Sequence, residues 1–211
     1  MYNKVPMNDR TFTIVDVETT GGHPRTSRVI ELGILRVERG EVAAKFKSLV
    51  NPGCAVPEFI SKMTGITTHM VNHMPYFEEL AEDVLPLFED SVFVAHNSGF
   101  DYGFLRAEFA RAGLNFNMDS LCTVRLSRAL YPKYKRHNLS ALIERFDFKC
   151  KSRHRAFDDA LVLWDFLQHV RREFPQEQVN AALRRLIRSP FLPAAAPKRL
   201  ASDLVYEPVE S

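Results

Sequence analysis

Two acidic residues interrupt an otherwise apolar and β-branched run near the start of the chain. Residues 11–19, TFTIVDVET, have the length and composition that favour a buried strand. Asp16 and Glu18 lie two positions apart, so in a strand both side chains leave the same face as Phe12 and Ile14. Carboxylates that extend a core-facing row are costly to bury unless a cation neutralises them. The run therefore predicts either a strand end that reaches solvent or a metal-binding carboxylate pair.

Strand-like runs and amphipathic stretches alternate along the rest of the chain. Further strands are predicted at residues 28–37, between Gly40 and Val50, and at 91–95 and 119–121. One helix is predicted from Pro75 to a kink or end at Pro86, and a second after residue 95 with a cap at Gly113. A third helix is predicted to end before Pro132. The last two are predicted over Leu139–Phe146, with Asn138 as N-cap, and from about Arg155 to Arg172. Three strands joined by short turns, followed by strands separated by helices, predict an α/β fold with a mixed sheet flanked by helices.

Composition and charge limit the possible classes of protein. The chain has 211 residues, of which 45% are hydrophobic, enough for one core of moderate size. The formal net charge is only +2, so any basic surface for nucleic acid must be local. Three widely spaced cysteines without a CxxC pair predict reduced thiols and neither a disulfide framework nor a zinc site.

Three segments are predicted from changes in composition. Residues 1–10 form an N-terminal extension, 11–175 the catalytic domain, and 176–211 a basic amphipathic helix followed by a Pro- and Ala-rich tail. The helix fits docking to a partner protein and packing within the molecule equally well. No apolar leader and no run of about 20 apolar residues is present, so we expect a cytoplasmic protein without a membrane partner.

Two later segments carry acids where a site could form. Asp101, in HNSGFD, follows a strand and falls in the first turn of a helix; the helix dipole alone would also favour a carboxylate there. In HRAFDD, helical periodicity places Asp159 within the buried stripe. Asp158 falls on a mostly polar outer face with Val162, Asp165, His169 and Arg172. His154 is expected on the loop that enters this helix.

Four inward carboxylates and one histidine are typical of metal-dependent phosphodiester hydrolysis. Mg²⁺ and Mn²⁺ prefer oxygen ligands, and two such ions ~4 Å apart can hold the attacking and leaving oxygens of a phosphodiester in line. A histidine whose pKa lies near neutral pH can accept the proton of the attacking water. The residue types therefore favour a phosphodiesterase over an acyl or glycosyl hydrolase.

The three segments together resemble the motifs of the DnaQ-like (DEDDh) exonuclease superfamily, which includes the exonuclease subunits and domains of bacterial DNA polymerase III. DVETTG, AHNSGFD and HRAFDD occur in the order of that family, between about Thr11 and Arg172. The resemblance implies a ribonuclease-H-like fold with a mixed five-stranded sheet and 3′→5′ exonuclease activity. It implies that Asp16, Glu18, Asp101 and Asp159 are ligands of two Mg²⁺ or Mn²⁺ ions and that His154 is the general base.

The same resemblance implies a set of residues that hold the terminal nucleotide. These are Thr19, Thr20 and Gly21 after the first motif, His96 and Phe100 in the second, and Thr64 in MTGIT. MTGIT resembles exonuclease domains fused to polymerases or helicases, whereas some proofreading subunits have His in place of Thr64. The expected substrate is the 3′ end of single-stranded or frayed DNA, in proofreading or repair, and the partner expected for the segment 176–211 is a polymerase or other repair protein. RNA or short oligoribonucleotides are the alternative substrate, and an inactive module that binds nucleic acid or a polymerase is the third.

Basic residues lie on both sides of the predicted helix at 139–146. The runs KYKR (133–136) and KCKSRHR (149–155) are interleaved with Tyr131, Tyr134 and Phe148. Such runs could neutralise the phosphates of an incoming strand or could simply form a solvated surface.

Overall fold

The β-branched and aromatic runs of the sequence form a single five-stranded sheet. In the computed structural model, which describes residues 9–189, the strands lie in the order β3-β2-β1-β4-β5. They are β1 Phe12–Thr19, β2 Val29–Glu38, β3 Glu41–Leu49, β4 Val92–Ala95 and β5 Ser120–Cys122. The first three pair antiparallel, and β4 is parallel to both β1 and β5. The prediction of a mixed sheet is confirmed.

Eight α-helices connect or cover the strands within the described residues. They are α1 Glu58–Thr64, α2 Thr68–Val71, α3 Phe77–Val84, α4 Gly99–Arg111, α5 Thr123–Leu130, α6 Leu139–Phe146, α7 Ala156–Glu173 and α8 Gln176–Leu186. The predicted kink at Pro86 is a 3₁₀ turn, Leu85–Phe88, that follows α3 directly. Helix α6 has the predicted bounds, and the Asn138 side chain accepts a hydrogen bond from Ala141 N at 2.9 Å. The short helices α1 and α2 were not predicted.

The alternation of side chains along β1 divides the core into two layers. Phe12 and Ile14 belong to a cluster formed with α5, α6, α7 and α8. Val15 and Val17 face the other way, into a cluster with α3 and α4. Since Asp16 has the parity of Phe12 and Ile14, it continues the row that faces α7. The strand therefore carries its carboxylates toward the start of that helix.

Helix α7 begins almost in contact with the backbone of β2. A Cβ atom at Gly33 would lie 2.4 Å from Phe157 N and 2.5 Å from Ala156 C, too close for any side chain. Gly33 is also the register partner of Asp16 on β1. The glycine thus allows the first turn of α7 to rest on the sheet beside Asp16.

Two features of the C-terminal helices qualify the sequence predictions. Val162, predicted on a mostly polar outer face, is fully buried, and that prediction is wrong. It failed because α7 packs against α6 and α8 as well as against the sheet. The apolar side of α8 is buried in the same core cluster through Val179, Leu183 and Leu186, so it serves packing within the molecule.

No helix within residues 9–189 is long and apolar enough to cross a membrane. The predicted Pro- and Ala-rich tail from residue 190 onward, and all but two residues of the predicted N-terminal extension, lie outside the described residues.

Candidate active site

The parallel pairing of β1 with β4 brings the first two acidic segments to one edge of the sheet. Asp16 and Glu18 lie near the C-terminal end of β1, and the chain leaves the C-terminal end of β4 to enter α4, whose first turn carries Asp101. The Asp101 side chain is buried, and its Oδ1 accepts a hydrogen bond from Val17 N at 3.2 Å. This contact fixes Asp101 beside the backbone between the two β1 carboxylates.

A buried glutamate on β2 positions the third acidic segment. Glu31 is the register partner of Glu18. Its carboxylate accepts hydrogen bonds from Arg155 Nη2 at 2.7 Å, Arg155 Nε at 3.0 Å and Ala156 N at 2.9 Å. Glu31 therefore caps the start of α7, where unpaired N–H groups favour an anion. Asp159, in the first turn of that helix, is held in place as a result.

All five predicted catalytic residues line one open cavity of about 280 Å³. A carboxylate oxygen of Glu18, a ring nitrogen of His154 and a carboxylate oxygen of Asp159 lie within 4.8 Å of one another. Asp16 and Asp101 complete the acidic wall of the cavity. The choice of Asp159 over Asp158 agrees with the structure, since Asp159 is 3% exposed and Asp158 is half-buried.

Burial, together with mutual repulsion, raises the pKa values of three carboxyl groups in the cavity. Burial, followed by repulsion from Asp101, Asp159 and Glu18, raises the pKa of Asp16 well above its usual range. Burial and the neighbouring Asp159 and Glu31 raise the pKa of Glu18 to about 7. Burial raises the pKa of Asp101 to about 8. The cavity thus holds more carboxyl groups than its own cations can neutralise, and some of these groups keep a proton at neutral pH.

This donor set fits a divalent cation. Carboxylate oxygens are the ligands that Mg²⁺ and Mn²⁺ prefer, and oxygens of Glu18 and Asp159 lie within 4.8 Å of each other, close enough to share one ion, with a His154 ring nitrogen equally near. A bound cation would remove the repulsion that raises the carboxylate pKa values.

His154 lies on the loop before α7, as predicted, and is half-buried. Its φ angle is +59°, in the left-handed region that is costly for a residue with a Cβ atom. The ring faces the cavity beside Glu18 and Asp159. A strained residue in a cleft of carboxylates fits a functional role better than a structural one.

The residues predicted to hold the nucleotide divide into two groups. His96 and Phe100 line the cavity. His96 Nδ1 lies 2.9 Å from Thr123 Oγ1, and burial lowers the pKa of the ring to about 4, which keeps it neutral. Phe100 packs against Phe104 with ring centroids 4.8 Å apart. These two form the cavity wall next to Asp101.

The structure does not bring the other four into the cavity wall. Thr19 Oγ1 donates to Gly21 O at 2.7 Å, and Thr20 Oγ1 accepts from Arg28 N at 2.9 Å, so both hydroxyls stabilise the turn after β1. Thr64 is buried at the end of α1, where its Oγ1 donates to Ile60 O and accepts from Ile66 N, each at 3.0 Å.

Sequence reasoning missed several residues that line the cavity. These are Val17, Asn97, Asn138, Leu139 and Arg153. Asn138 was identified only as an N-cap, and Arg153 only as one member of a basic run. The Asn-Ser-Gly sequence after β4 could have indicated Asn97, because asparagine tolerates the left-handed φ of +70° that it has there.

A second cavity, of about 400 Å³, lies along the loop between α5 and α6. Its lining is Tyr134, Lys135, Arg136, Ala141, Glu144 and Arg145. The Arg145 guanidinium lies 3.7 Å from the centre of the Tyr134 ring, and the Tyr134 residue is 48% exposed. Arg136 is two residues from Asn138, which lines the acidic cavity, so the Cα atoms of these two lining residues are at most ~7 Å apart.

The geometry agrees with the comparison with known proteins. Residues 13–167 match the exonuclease family. The chain belongs to this family. The match spans all five strands and all three acidic segments, so the predicted membership of the DnaQ-like exonucleases is confirmed.

Similar sequences within the exonuclease family occur in proteins of very different length. The chain is 35% identical to the 3′-5′ exonuclease DinG of Bacillus subtilis over 186 residues, which cover 85% of this chain but 20% of that protein. It is 36% identical to the PolC-type DNA polymerase III of Halalkalibacterium halodurans, covering 75% of this chain and 11% of that protein. It is 38% identical to the DNA polymerase III subunit epsilon of Aquifex aeolicus, covering 72% and 76%. The chain thus spans a fifth or less of the two longer relatives.

Solved exonuclease structures share the fold. Exonuclease X in complex with a 5′-overhanging DNA duplex superposes with a TM-score of 0.58 at 25% identity, covering 81% of this chain and 98% of that one. Escherichia coli exonuclease I in complex with a dA16 oligonucleotide gives a TM-score of 0.72 at 19% identity, covering 82% and 43%. The predicted fold class is confirmed.

Proposed function

We propose that this chain is a 3′→5′ exonuclease that depends on two divalent cations and removes nucleoside 5′-monophosphates from the 3′ ends of DNA. The observation that carries the proposal is the convergence of Asp16, Glu18, Asp101, Asp159 and His154 on one open cavity. The relatives named as a 3′-5′ exonuclease and as polymerase III subunits support this polarity and favour DNA over RNA. They also favour a role in proofreading or repair.

In this proposal each residue of the cavity has a separate task. Asp16, Glu18, Asp101 and Asp159 hold the two ions, Mg²⁺ or Mn²⁺. When bound, such ions neutralise the carboxylates, orient the phosphodiester and stabilise charge on the attacking and leaving oxygens. His154 accepts a proton from the attacking water, which forms a bond to phosphorus as the bond to the 3′ oxygen breaks. The leaving oxygen gains a proton and remains on the shortened strand.

The side chains around the carboxylates fit the binding of a terminal nucleotide. His96 and Phe100 offer a neutral ring and an aromatic face in the same cavity as the acids. We infer that Thr19, Thr20, Gly21 and Thr64 support this wall through the turn after β1 and the end of α1. The threonine hydroxyls already form hydrogen bonds to nearby backbone, which supports such an indirect role.

The loop between α5 and α6 carries the basic run KYKR (133–136) and is called the basic loop below. We infer that the DNA strand behind the terminal nucleotide passes along this loop. Lys133, Lys135 and Arg136 are exposed, and they precede the α6 residues that line the acidic cavity. The exposed Tyr134 ring and the Arg145 guanidinium offer flat surfaces on which unpaired bases can stack. Stacking requires an unpaired base, so this loop favours single-stranded or frayed ends.

We also propose that a polymerase or repair protein binds through residues 176–211. The packing of α8 limits the side of this helix that such a partner could contact. Since the apolar side of α8 is buried in the core, a partner would meet its polar side. The rest of this segment, from residue 190, lies outside the described residues.

A nuclease assay with paired variants tests the proposal. The substrates are 5′-labelled DNA and RNA, single- and double-stranded, incubated with Mg²⁺, Mn²⁺ or EDTA. We expect a one-nucleotide ladder that shortens from the 3′ end of single-stranded DNA and disappears in EDTA. Asp159→Asn should abolish it, whereas Asp158→Asn, the adjacent half-buried acid, should retain it. Full activity of Asp159→Asn or in EDTA would refute the mechanism, and a ladder on RNA alone would refute the substrate.

A further inference from the structure

One arginine side chain, that of Arg153, lines the acidic cavity, and its ion pair differs from that of the nearby Arg155. The Arg153 guanidinium lines the cavity and forms a close ion pair with the Asp159 carboxylate. The Asp159 side chain is 5% exposed, whereas that of Arg153 is 31% exposed. Arg153 is also a positive charge that lowers the pKa values of Asp16 and Glu18. Its charge therefore acts on three of the four proposed metal ligands.

Arg155, two residues further on in the same loop, forms an ion pair with two contacts. Its Nε and Nη2 atoms both donate to the Glu31 carboxylate, at 3.0 and 2.7 Å. Arg153 contacts Asp159 through Nη1, and its buried Nε has no hydrogen-bond partner among the described residues. The Arg153 pair has one contact where a planar guanidinium can make two, so it lacks the geometry of a fixed structural bridge.

The loop around Arg153 is also the least regular part of the cavity. Residues 147–155 join α6 to α7 without helix or strand, and His154 has a left-handed φ. The other three acids stand on β1 and on α4. A change in the position of Arg153 therefore requires no change in the elements that carry the carboxylates.

We propose that Arg153 is an internal counter-cation that neutralises the carboxylate cavity in the metal-free protein and is displaced from Asp159 when divalent ions bind. The inference rests on the proposed function, because it takes Asp159 as a metal ligand. A divalent ion bound at Asp159 repels the Arg153 guanidinium and withdraws charge from the carboxylate that the guanidinium contacts, so ion binding weakens the Arg153 pair. The arginine stabilises the metal-free cavity and weakens metal binding by the same interaction.

Metal binding without nucleic acid tests this competition. Mn²⁺ is titrated calorimetrically into the wild-type protein, Arg153→Gln and Lys151→Gln, an exposed residue of the same loop with the same charge change. Arg153→Gln should bind Mn²⁺ about fivefold more tightly, as expected for loss of a partly exposed ion pair. Lys151→Gln should bind like wild type. Equal or weaker binding by Arg153→Gln would overturn the proposal.

A second measurement follows Arg153 itself. In nitrogen-15 spectra of the arginine side chains, the Nε signal that disappears in Arg153→Gln identifies this residue. Saturation with Mg²⁺ should shift that signal and leave the Arg155 signal in place. An Arg153 signal unchanged at saturating Mg²⁺ would refute displacement even if the protein is an active nuclease. Absence of Mn²⁺ binding by all three proteins would instead refute the proposed metal site, and the inference with it.

Discussion

Replacement of Glu18 by Gln should stabilise the metal-free protein at alkaline pH, although it removes a proposed metal ligand. Burial and nearby acids raise the pKa of Glu18 from 4.5 to about 7. Between these two pH values the folded protein retains a proton that the unfolded chain has lost. Stability therefore falls as the pH rises from about 4.5 to 7, and above pH 7 the loss is complete.

The magnitude follows from the difference between the two pKa values. At about 1.4 kcal/mol per pKa unit, an ionised Glu18 costs the folded state about 3 kcal/mol. The Glu18 residue is only 8% exposed, so solvent screens little of this cost. Gln has nearly the same shape and cannot ionise. The variant should match wild type near pH 4 and exceed it by about 3 kcal/mol at pH 8.

Urea denaturation in EDTA at a series of pH values measures this difference. Glu82→Gln, at an exposed position on α3, is the matched control and should show no pH-dependent gain. With saturating Mg²⁺ the order should reverse, because the wild-type protein gains the free energy of metal binding. A stability difference that does not change between pH 4 and pH 8, or a less stable Glu18→Gln at pH 8, would refute the reasoning.

Three further predictions address the general base, the basic loop and the sheet. His154→Ala should lower kcat by about 10²- to 10⁴-fold while leaving calorimetric Mg²⁺ binding within a fewfold of wild type; unchanged kcat would refute its role. Combined Lys133→Ala, Lys135→Ala and Arg136→Ala should weaken binding of single-stranded DNA and reduce the magnitude of the slope of log K against log salt by about 2. An unchanged slope would show that the loop does not contact the DNA strand. Gly33→Ala should lower thermal stability and activity together, since its Cβ would meet the α7 backbone at 2.4 Å; activity retained with a normal melting temperature would contradict this close packing.

The sequence was informative wherever one local rule determined the structure. The parity of β1 placed Asp16 on the α7 side of the sheet, and helical periodicity separated Asp159 from Asp158. Asn138 capped α6 as its side-chain chemistry predicts. These properties depend on residues within one turn or one strand, so a single sequence contains enough information to predict them.

Features that depend on tertiary contacts were not predictable in the same way. Val162 is buried because α6 and α8 pack around α7, and no periodicity in α7 alone reveals those neighbours. The Thr64 hydroxyl is used by its own helix end, which the family resemblance did not indicate. Arg153 has the composition of a solvated basic run, and only the approach of its loop to Asp159 distinguishes it.

The cap that Glu31 provides has a consequence for how this protein loses activity. Asp159 keeps its place only while the first turn of α7 is intact, and that turn depends on hydrogen bonds from Arg155 and Ala156 to one carboxylate. Helix ends open locally at a lower free energy than a whole domain unfolds. Warming or dilute denaturant would then inactivate the protein by fraying of one helical turn while both core layers remain packed. Amide hydrogen exchange at the start of α7 would follow the loss of activity, and circular dichroism of the whole protein would change only later.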